Sequence, residues 1–263
     1  MKKLFTIAIA LTCISLTALA QEQKEMPHPE TIDEVRTQSG VDPTRITSRF
    51  GFSTTFFDRP ADNALIRNRL SATFGVDNWS FQLKAESMSA NTIPGEGFRT
   101  GFGDLKFAVL NSFYTKGRHA LAGSLDVVLP TASRSIAQAA GMGSHMLMTA
   151  AVTYAFTVTP SFFVAAEPQY TFTLAKSKGL PDANIFTVRL FMAYFFKSGF
   201  FMVLEPRPIY DITNKQFSMY LSPIVGKTLG GGFNLIAMAE IPLNKSTMQK
   251  AGATYIIGFN RVF

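Results

Sequence analysis

Acidic and basic side chains recur along this 263-residue chain at spacings that an extended backbone would bring to one side. Glu86 shares a parity with Lys84 and Gln82, and Asp126 with Ser124. Glu167 falls with Gln169, Thr171 and Thr173, Glu205 with Arg207, and Glu240 with Asn234. Arg67, Arg69, Lys106 and Arg189 also stand opposite the apolar residues of their own segments. Two kinds of chemistry suit such a set. One is a structural network of ion pairs; the other is a charged constriction that selects solutes by their charge. Nucleophilic catalysis fits poorly, because a serine–histidine–acid site needs nucleophile and base on one face within hydrogen-bond reach. Ser144 and His145 are neighbours on opposite parities, Leu147 stands two residues on, and the other histidines are His28 and His119. No catalytic residue is therefore assigned, and a lipid hydrolase using His145 is the lesser alternative. With three histidines, and a single cysteine in the leading apolar segment, no metal site is expected. No glycine-rich phosphate loop stands between a strand and a helix, and no cofactor is expected.

The elements that would hold these side chains are strands. Period-two alternation predicts about twelve of them, from Arg45–Phe57 to Ala251–Phe263, most ten to thirteen residues long. At ~3.3 Å per residue and a tilt of ~40° such strands span on the order of 25 Å, the apolar height of a bilayer. Connections alternate in length. "DRPAD", "SANTIPGEGF", "PTASRSIAQAAGMG" and "AKSKGLPDAN" follow odd strands, whereas "DN", "YTKG", "VTP" and "KSG" follow even ones. The predicted fold is an all-β, antiparallel, up-and-down transmembrane β-barrel over residues 45–263. Its apolar parity faces lipid, since a basic side chain at mid-bilayer costs ~2–4 kcal/mol there and little in a watery lumen. Pro168, Pro206, Pro208 and Pro223 fall inside strands, where each removes a ladder donor, and local bulges or kinks are expected around them.

The ends of the chain carry addresses. "MKK" followed by "LFTIAIALTCISLTALA" reads as a secretory signal peptide over residues 1–20, cleaved after Ala20, and Cys13 lies within it. Residues 21–44 read as a short polar periplasmic segment with a helix near Thr31–Thr37, either a tail or a partial plug of the lumen. The formal net charge of +7 is not gathered into a basic cluster, so nucleic acid is excluded as a partner. Bilayer lipids and a small-molecule solute are the expected partners of a monomer.

Two stretches carry a resemblance. "GFRTGFGDLKFAVLNSF" (Gly97–Phe113) and "LAGSLDVVLPTAS" resemble the Gly-x-Gly-Asp-Leu strand and Leu-Pro-Thr-Gly strand end of bacterial outer-membrane barrels. These are the barrels grouped as the putative transporter family of the MetA-pathway of phenol degradation. Gly101, Gly103, Asp104, Leu105, Leu129, Pro130 and Thr131 match, while Ala132 replaces the usual glycine. The closing "AGATYIIGFNRVF" similarly resembles the terminal signature that barrel-assembly machinery recognises through a last aromatic, here Phe263. The resemblance implies a small outer-membrane transporter or channel, for hydrophobic or aromatic compounds among others, with Asp104 added to the lumen candidates. A non-conducting structural or adhesive barrel is a further alternative.

Overall fold

The computed structural model describes residues 31–58, 64–92, 95, 97–248 and 252–263. The expected signal segment and the first part of the 21–44 segment lie outside the described residues. The strands are β1 (Arg49–Asp58), β2 (Ala64–Val76), β3 (Trp79–Asn91), β4 (Arg99–Phe102), β5 (Leu105–Lys116), β6 (His119–Leu129) and β7 (His145–Thr159). They continue as β8 (Phe162–Lys176), β9 (Asn184–Phe195), β10 (Phe200–Asp211), β11 (Gln216–Gly230), β12 (Phe233–Pro242) and β13 (Thr254–Val262). Among the described residues the helices are α1 (Ile32–Ser39), α2 (Arg134–Ala140) and α3 (Lys245–Met248).

Each strand pairs antiparallel with its neighbour in the chain, and β1 pairs with β13 from Arg49↔Val262 to Phe57↔Thr254. The sheet is thereby closed, and no edge is left to seek a partner. β4 and β5 are two parts of one stave: β3 pairs β5 over Trp79–Lys84 and β4 over Ser87–Ala90. Counted by staves, this is a twelve-stranded antiparallel β-barrel, as the alternation predicted. Burial follows the same parity. In β10, Phe201, Val203 and Glu205 are buried while Phe200, Met202 and Leu204 are exposed. Tight turns gather at one end, where Asp77 (φ 52°) and Gly117 (φ 60°) adopt the left-handed backbone that short hairpins require. Longer connections gather at the other end, which holds α2 and α3.

Three local expectations need correction. The bulges expected at the prolines are not there. Pro168↔Val188 and Leu204↔Pro223 keep the register of their neighbours, and the register shifts fall at Asn111/Tyr114, Met146/Leu147, Thr157/Thr159 and Thr228/Gly230 instead. A missing donor leaves a gap in one ladder, as between Leu204↔Met192 and Ile209↔Thr187, without inserting a residue. The first strand begins at Arg49 rather than Arg45, because Arg45 turns back to bind Asp33 and Asp42. The fourth strand is interrupted at Gly103-Asp104 for a reason given below.

The barrel interior is apolar at both ends. The helix expected near residues 31–37 forms, started by a capping box between Thr31 and Glu34 and ended by Gly40 at φ 64°. Val35 of α1 is fully buried against a cluster containing Phe163, Phe195, Phe201 and Ala193 on the inner wall at the turn end. Burying that side chain contributes about 1.5–3 kcal/mol. Phe201 in turn lies across Gly226, where an added Cβ would stand 2.1 Å from its ring. At the loop end, Ile136 and Ala139 of α2 pack on Leu65, Met88 and Ala90. The two ionic clusters around Glu205 and Glu86 lie on the wall between these two apolar layers.

Candidate functional site

The inner wall carries two ionic clusters. The larger crosses β8, β9, β10 and β12. Glu205, fully buried, receives Arg189 through Nε (2.7 Å) and Nη2 (3.0 Å), and Arg207 through Nε (2.8 Å). Arg189 Nη1 also reaches Glu167 Oε1 at 3.3 Å, and Arg207 Nη1 reaches Glu240 Oε1 at 2.6 Å. Thr153 and Gln169 donate to the two oxygens of Glu167 at 2.7 and 2.5 Å. The result is an alternating acid–base chain, Glu167–Arg189–Glu205–Arg207–Glu240. Strand β11 sits between β10 and β12, and places only the small Ser222 opposite Glu205. That leaves Arg207 room to span to Glu240.

The smaller cluster joins β2, β3 and β5 around Glu86, whose side chain is also fully buried. Its Oε1 receives Arg69 Nε (2.8 Å), Lys106 Nζ (3.0 Å) and, more distantly, Arg67 Nη1 (3.9 Å). Oε2 has no partner among the described residues, nor has Arg67 Nε. The Arg67 guanidinium stacks 5.0 Å from the Phe57 ring. Lys84 lies on the same wall, directly across from Lys106 in the β3–β5 ladder, and makes no ion pair among the described residues. Asp126, opposite Ala108 on β5, belongs to neither cluster.

Asp104 does other work. Its Oδ1 accepts from the Ala132 amide (3.0 Å) and its Oδ2 from the Gly143 amide (3.1 Å), so the carboxylate clasps both ends of the connection bearing α2. Thr131 Oγ1 accepts from the Leu105 amide at 2.9 Å. A Cβ on Gly101 would lie 2.0 Å from Ser133 Oγ, and one on Gly103 would lie 3.2 Å from the Glu86 Cβ. Gly101, Gly103, Asp104, Leu105 and Thr131, with Pro130 turning the chain off β6, thus form a docking seat that folds α2 into the barrel. The seat also explains the break between β4 and β5: the outer side of β4 is taken by the connection, with the Ser133 amide donating to the Phe102 carbonyl at 2.9 Å. Two predictions follow for it. Asp104→Ala leaves two half-buried amides without their acceptor, at a cost of roughly 1 kcal/mol each. Gly101→Val, by steric displacement of Ser133, frees the α2 connection. Limited proteolysis of the folded barrel should then cut after Arg134 in both variants and spare the parent.

At the turn end, α1 is held by more than Val35. Arg36 and Asp42 form a buried ion pair, with Nε–Oδ2 at 2.7 Å, and Arg36 also donates to Thr157 Oγ1 at 2.9 Å. The Arg36 guanidinium lies 4.5 Å over Phe163. Asn234 of β12 donates to the Gln38 carbonyl (2.6 Å) and to Asn260 Oδ1 (2.9 Å), and Arg49 donates to the Gly40 carbonyl (2.6 Å). Arg45, hydrogen-bonded to Asp33, holds that carboxyl below its ordinary range. None of these contacts was assigned from sequence. The capping box at Thr31 was the one local signal of them.

His145 and Ser144 meet, with Nδ1 to Oγ at 2.9 Å and Nε2 to the Pro181 carbonyl at 3.1 Å. A carbonyl only accepts, so Nε2 donates to it, and in the neutral ring Nδ1 then accepts from the hydroxyl. The pair ties two loop-end connections together. No cluster of three or more histidine, cysteine or carboxylate side chains suited to a metal occurs among the described residues. Phe263 donates its amide to the Ser48 carbonyl at 2.9 Å and keeps its ring exposed beside Arg261.

A closed barrel with an apolar belt and an ionic interior defines a transmembrane β-barrel of the outer-membrane type. Among solved structures the chain is similar to an outer-membrane channel from Pseudomonas putida F1 (12% identity, TM-score 0.64, covering 92% of this chain and 98% of that one). It is also similar to the NanC porin (11% identity, TM-score 0.61, 81% and 98% covered) and the KdgM porin (11% identity, TM-score 0.57, 82% and 99% covered). At these identities the likeness establishes the fold. No family model matches the chain, and no curated protein matches it by sequence.

Proposed function

We propose that this chain is a bacterial outer-membrane channel through which small solutes diffuse passively. The observation that carries the reading is the continuous ionic strip Glu167–Arg189–Glu205–Arg207–Glu240, set midway along an inner wall whose two ends are apolar. A merely filled barrel has no need of side chains on that wall that water still reaches, yet Arg189 and Lys106 retain 31% and 26% of their side-chain exposure. The fold shared with porins and channels supports the same reading.

In this reading residues 1–20 are removed on export, residues 21–44 form a periplasmic segment whose α1 narrows the turn-end mouth, and residues 45–263 form the barrel. The turn end faces the periplasm and the loop end the outside, the usual orientation of such barrels. The protein is a monomer in lipid, delivered by assembly machinery that reads Phe263. The Gly101–Leu105 and Pro130–Thr131 motifs support membership of the MetA-pathway family and, with it, hydrophobic or aromatic solutes. Planar-bilayer recording of the purified protein tests the channel. Stepwise conductance, altered by Arg207→Gln, is the expected result. Silent membranes, with fatty acid released from phospholipid in a His145-dependent manner, would replace the channel by a hydrolase.

A further inference from the structure

The outer wall carries a charge at the turn-end rim. Arg261 lies on the exposed parity of β13 and makes no ion pair among the described residues. Its guanidinium is held instead between two rings, 5.0 Å from that of Phe233 and 5.0 Å from that of Phe263. A charged side chain at a rim can snorkel freely towards water; attraction to two aromatic faces keeps this one against the wall. Arg261 pairs with Phe50 of β1, and Phe50 with Ala72 of β2. The same outward row continues through Leu83, Phe107 and Val127 to Met148 of β7. The next outward row is Phe74, Phe81, Val109 and Leu125. Side chains of both rows line an apolar groove of about 570 Å³ on the outer wall. Its end nearest Arg261 is Ala72, the smallest side chain of the first row. From there it crosses five strands, a length of roughly 19 Å at ~4.8 Å per strand. Because the row starts where β13 ends and finishes near the loop-end start of β7, the groove rises obliquely from the rim into the apolar belt.

We infer that Arg261 and this groove form a binding site for one anionic glycerophospholipid of the turn-end leaflet, with its phosphate on the guanidinium and one acyl chain in the groove. The inference goes beyond the channel reading and needs only a closed barrel in a bilayer. Charge complementarity selects the headgroup. A cation on the lipid side without a carboxylate partner is matched by the phosphates of the leaflet, which lie at the level of the rim. Length selects the tail. Half of a ~30 Å hydrocarbon core is roughly 15 Å deep, so a chain inclined to the membrane normal fits a groove of this length. Free phosphate would match Arg261 and leave the groove empty, whereas a neutral apolar molecule would fill the groove and leave Arg261 unmatched. The outward row from Phe233 to Met148 carries no acid, so a second copy packed on it offers Arg261 no partner.

Native mass spectrometry of the folded barrel, released from detergent in the presence of dioleoyl phosphatidylglycerol, tests this directly. One retained lipid per chain is expected, with dioleoyl phosphatidylcholine and dihexanoyl phosphatidylglycerol both retained less. Arg261→Gln should cut retention of the dioleoyl phosphatidylglycerol about fivefold, the worth of one basic side chain beside an anionic lipid surface. Ala72→Trp closes the groove at its end nearest Arg261, and should reduce retention of the long-chain lipid while leaving the short-chain one unchanged. Heat-modifiable gel mobility checks that each variant has closed. If Arg261→Gln does not close, the two headgroups compared on the parent and the Ala72→Trp form decide the outcome. Phosphatidylglycerol retained no better than phosphatidylcholine, or retained equally by Arg261→Gln, overturns the headgroup contact and with it the site. Retention untouched by Ala72→Trp overturns the groove. Displacement of the lipid by inorganic phosphate would give Arg261 to a free anion instead, and a two-chain mass abolished by Ala72→Trp would give the groove to a second copy. Conductance in planar bilayers bears on the channel alone, so either reading can fail without the other.

Discussion

Glu205→Ala is expected to be among the most damaging single substitutions in this barrel, lowering stability by about 3 kcal/mol or more. The reason is the geometry of its partners. Arg189 and Arg207 both close on the same carboxylate, which has no exposure of its own. Removing it leaves two guanidinium groups facing each other across β9 and β10, each still tied to a more distant acid, Glu167 or Glu240. Breaking a buried pair by deleting one partner costs far more than the net worth of the pair, because the remaining charge is uncompensated. Solvent access to the two guanidinium groups offsets part of that cost, since Arg189 is 31% exposed and Arg207 19%. Denaturant unfolding of the barrel in detergent, followed by its heat-modifiable mobility on gels, gives the number. Glu205→Gln retains an acceptor oxygen and should fall between the two. A Glu205→Ala barrel as stable as the parent would mean that the ionic strip does not hold the wall.

Val35→Asp should release α1 while leaving the barrel closed. Val35 has no exposure and sits among Phe163, Phe195 and Phe201. A carboxylate in that place forfeits the 1.5–3 kcal/mol of apolar burial, and its own desolvation adds several kcal/mol more. The polar ties that remain, from Thr157, Asn234 and Arg49, hold the helix by its rim only. Arg36 is 5% exposed in the parent and should resist trypsin; in Val35→Asp the bond after it should be cut rapidly. Single-channel conductance should rise together with the cleavage, because the turn-end mouth loses its filling. Rapid cleavage with unchanged conductance would show that α1 does not limit the passage.

The staves were legible in sequence because lipid and water impose opposite demands on alternate residues, so that parity alone assigns Glu167, Glu205 and Glu240 to one side. Partner choice was not legible. Parity says that Arg207 turns inward, but only the strand stagger shows that it joins Glu205 to Glu240 across the small Ser222. Asp104 illustrates a second limit. It was grouped with the lumen charges, yet both its oxygens are spent on the backbone amides of a connection 28 and 39 residues further on. The α2 segment "RSIAQAA" gave no warning, because its small apolar residues suit an outer loop as well as an inner wall. Its place is dictated by Gly101 and Gly103, whose missing side chains leave the space it occupies. The prolines misled for a related reason: loss of a donor was read as loss of register, whereas a closed sheet holds each strand from both sides.

The seam between β1 and β13 has a practical corollary. Its register sets Thr54 opposite Ile257, and the sole native thiol of the chain, Cys13, lies far from both in sequence. A pair of introduced cysteines at 54 and 257 would therefore report the final closure event against a silent background. Oxidised before insertion, the pair would bring the two ends of the barrel together at the outset. Oxidised afterwards, it would time how long the newly inserted wall stays unzipped.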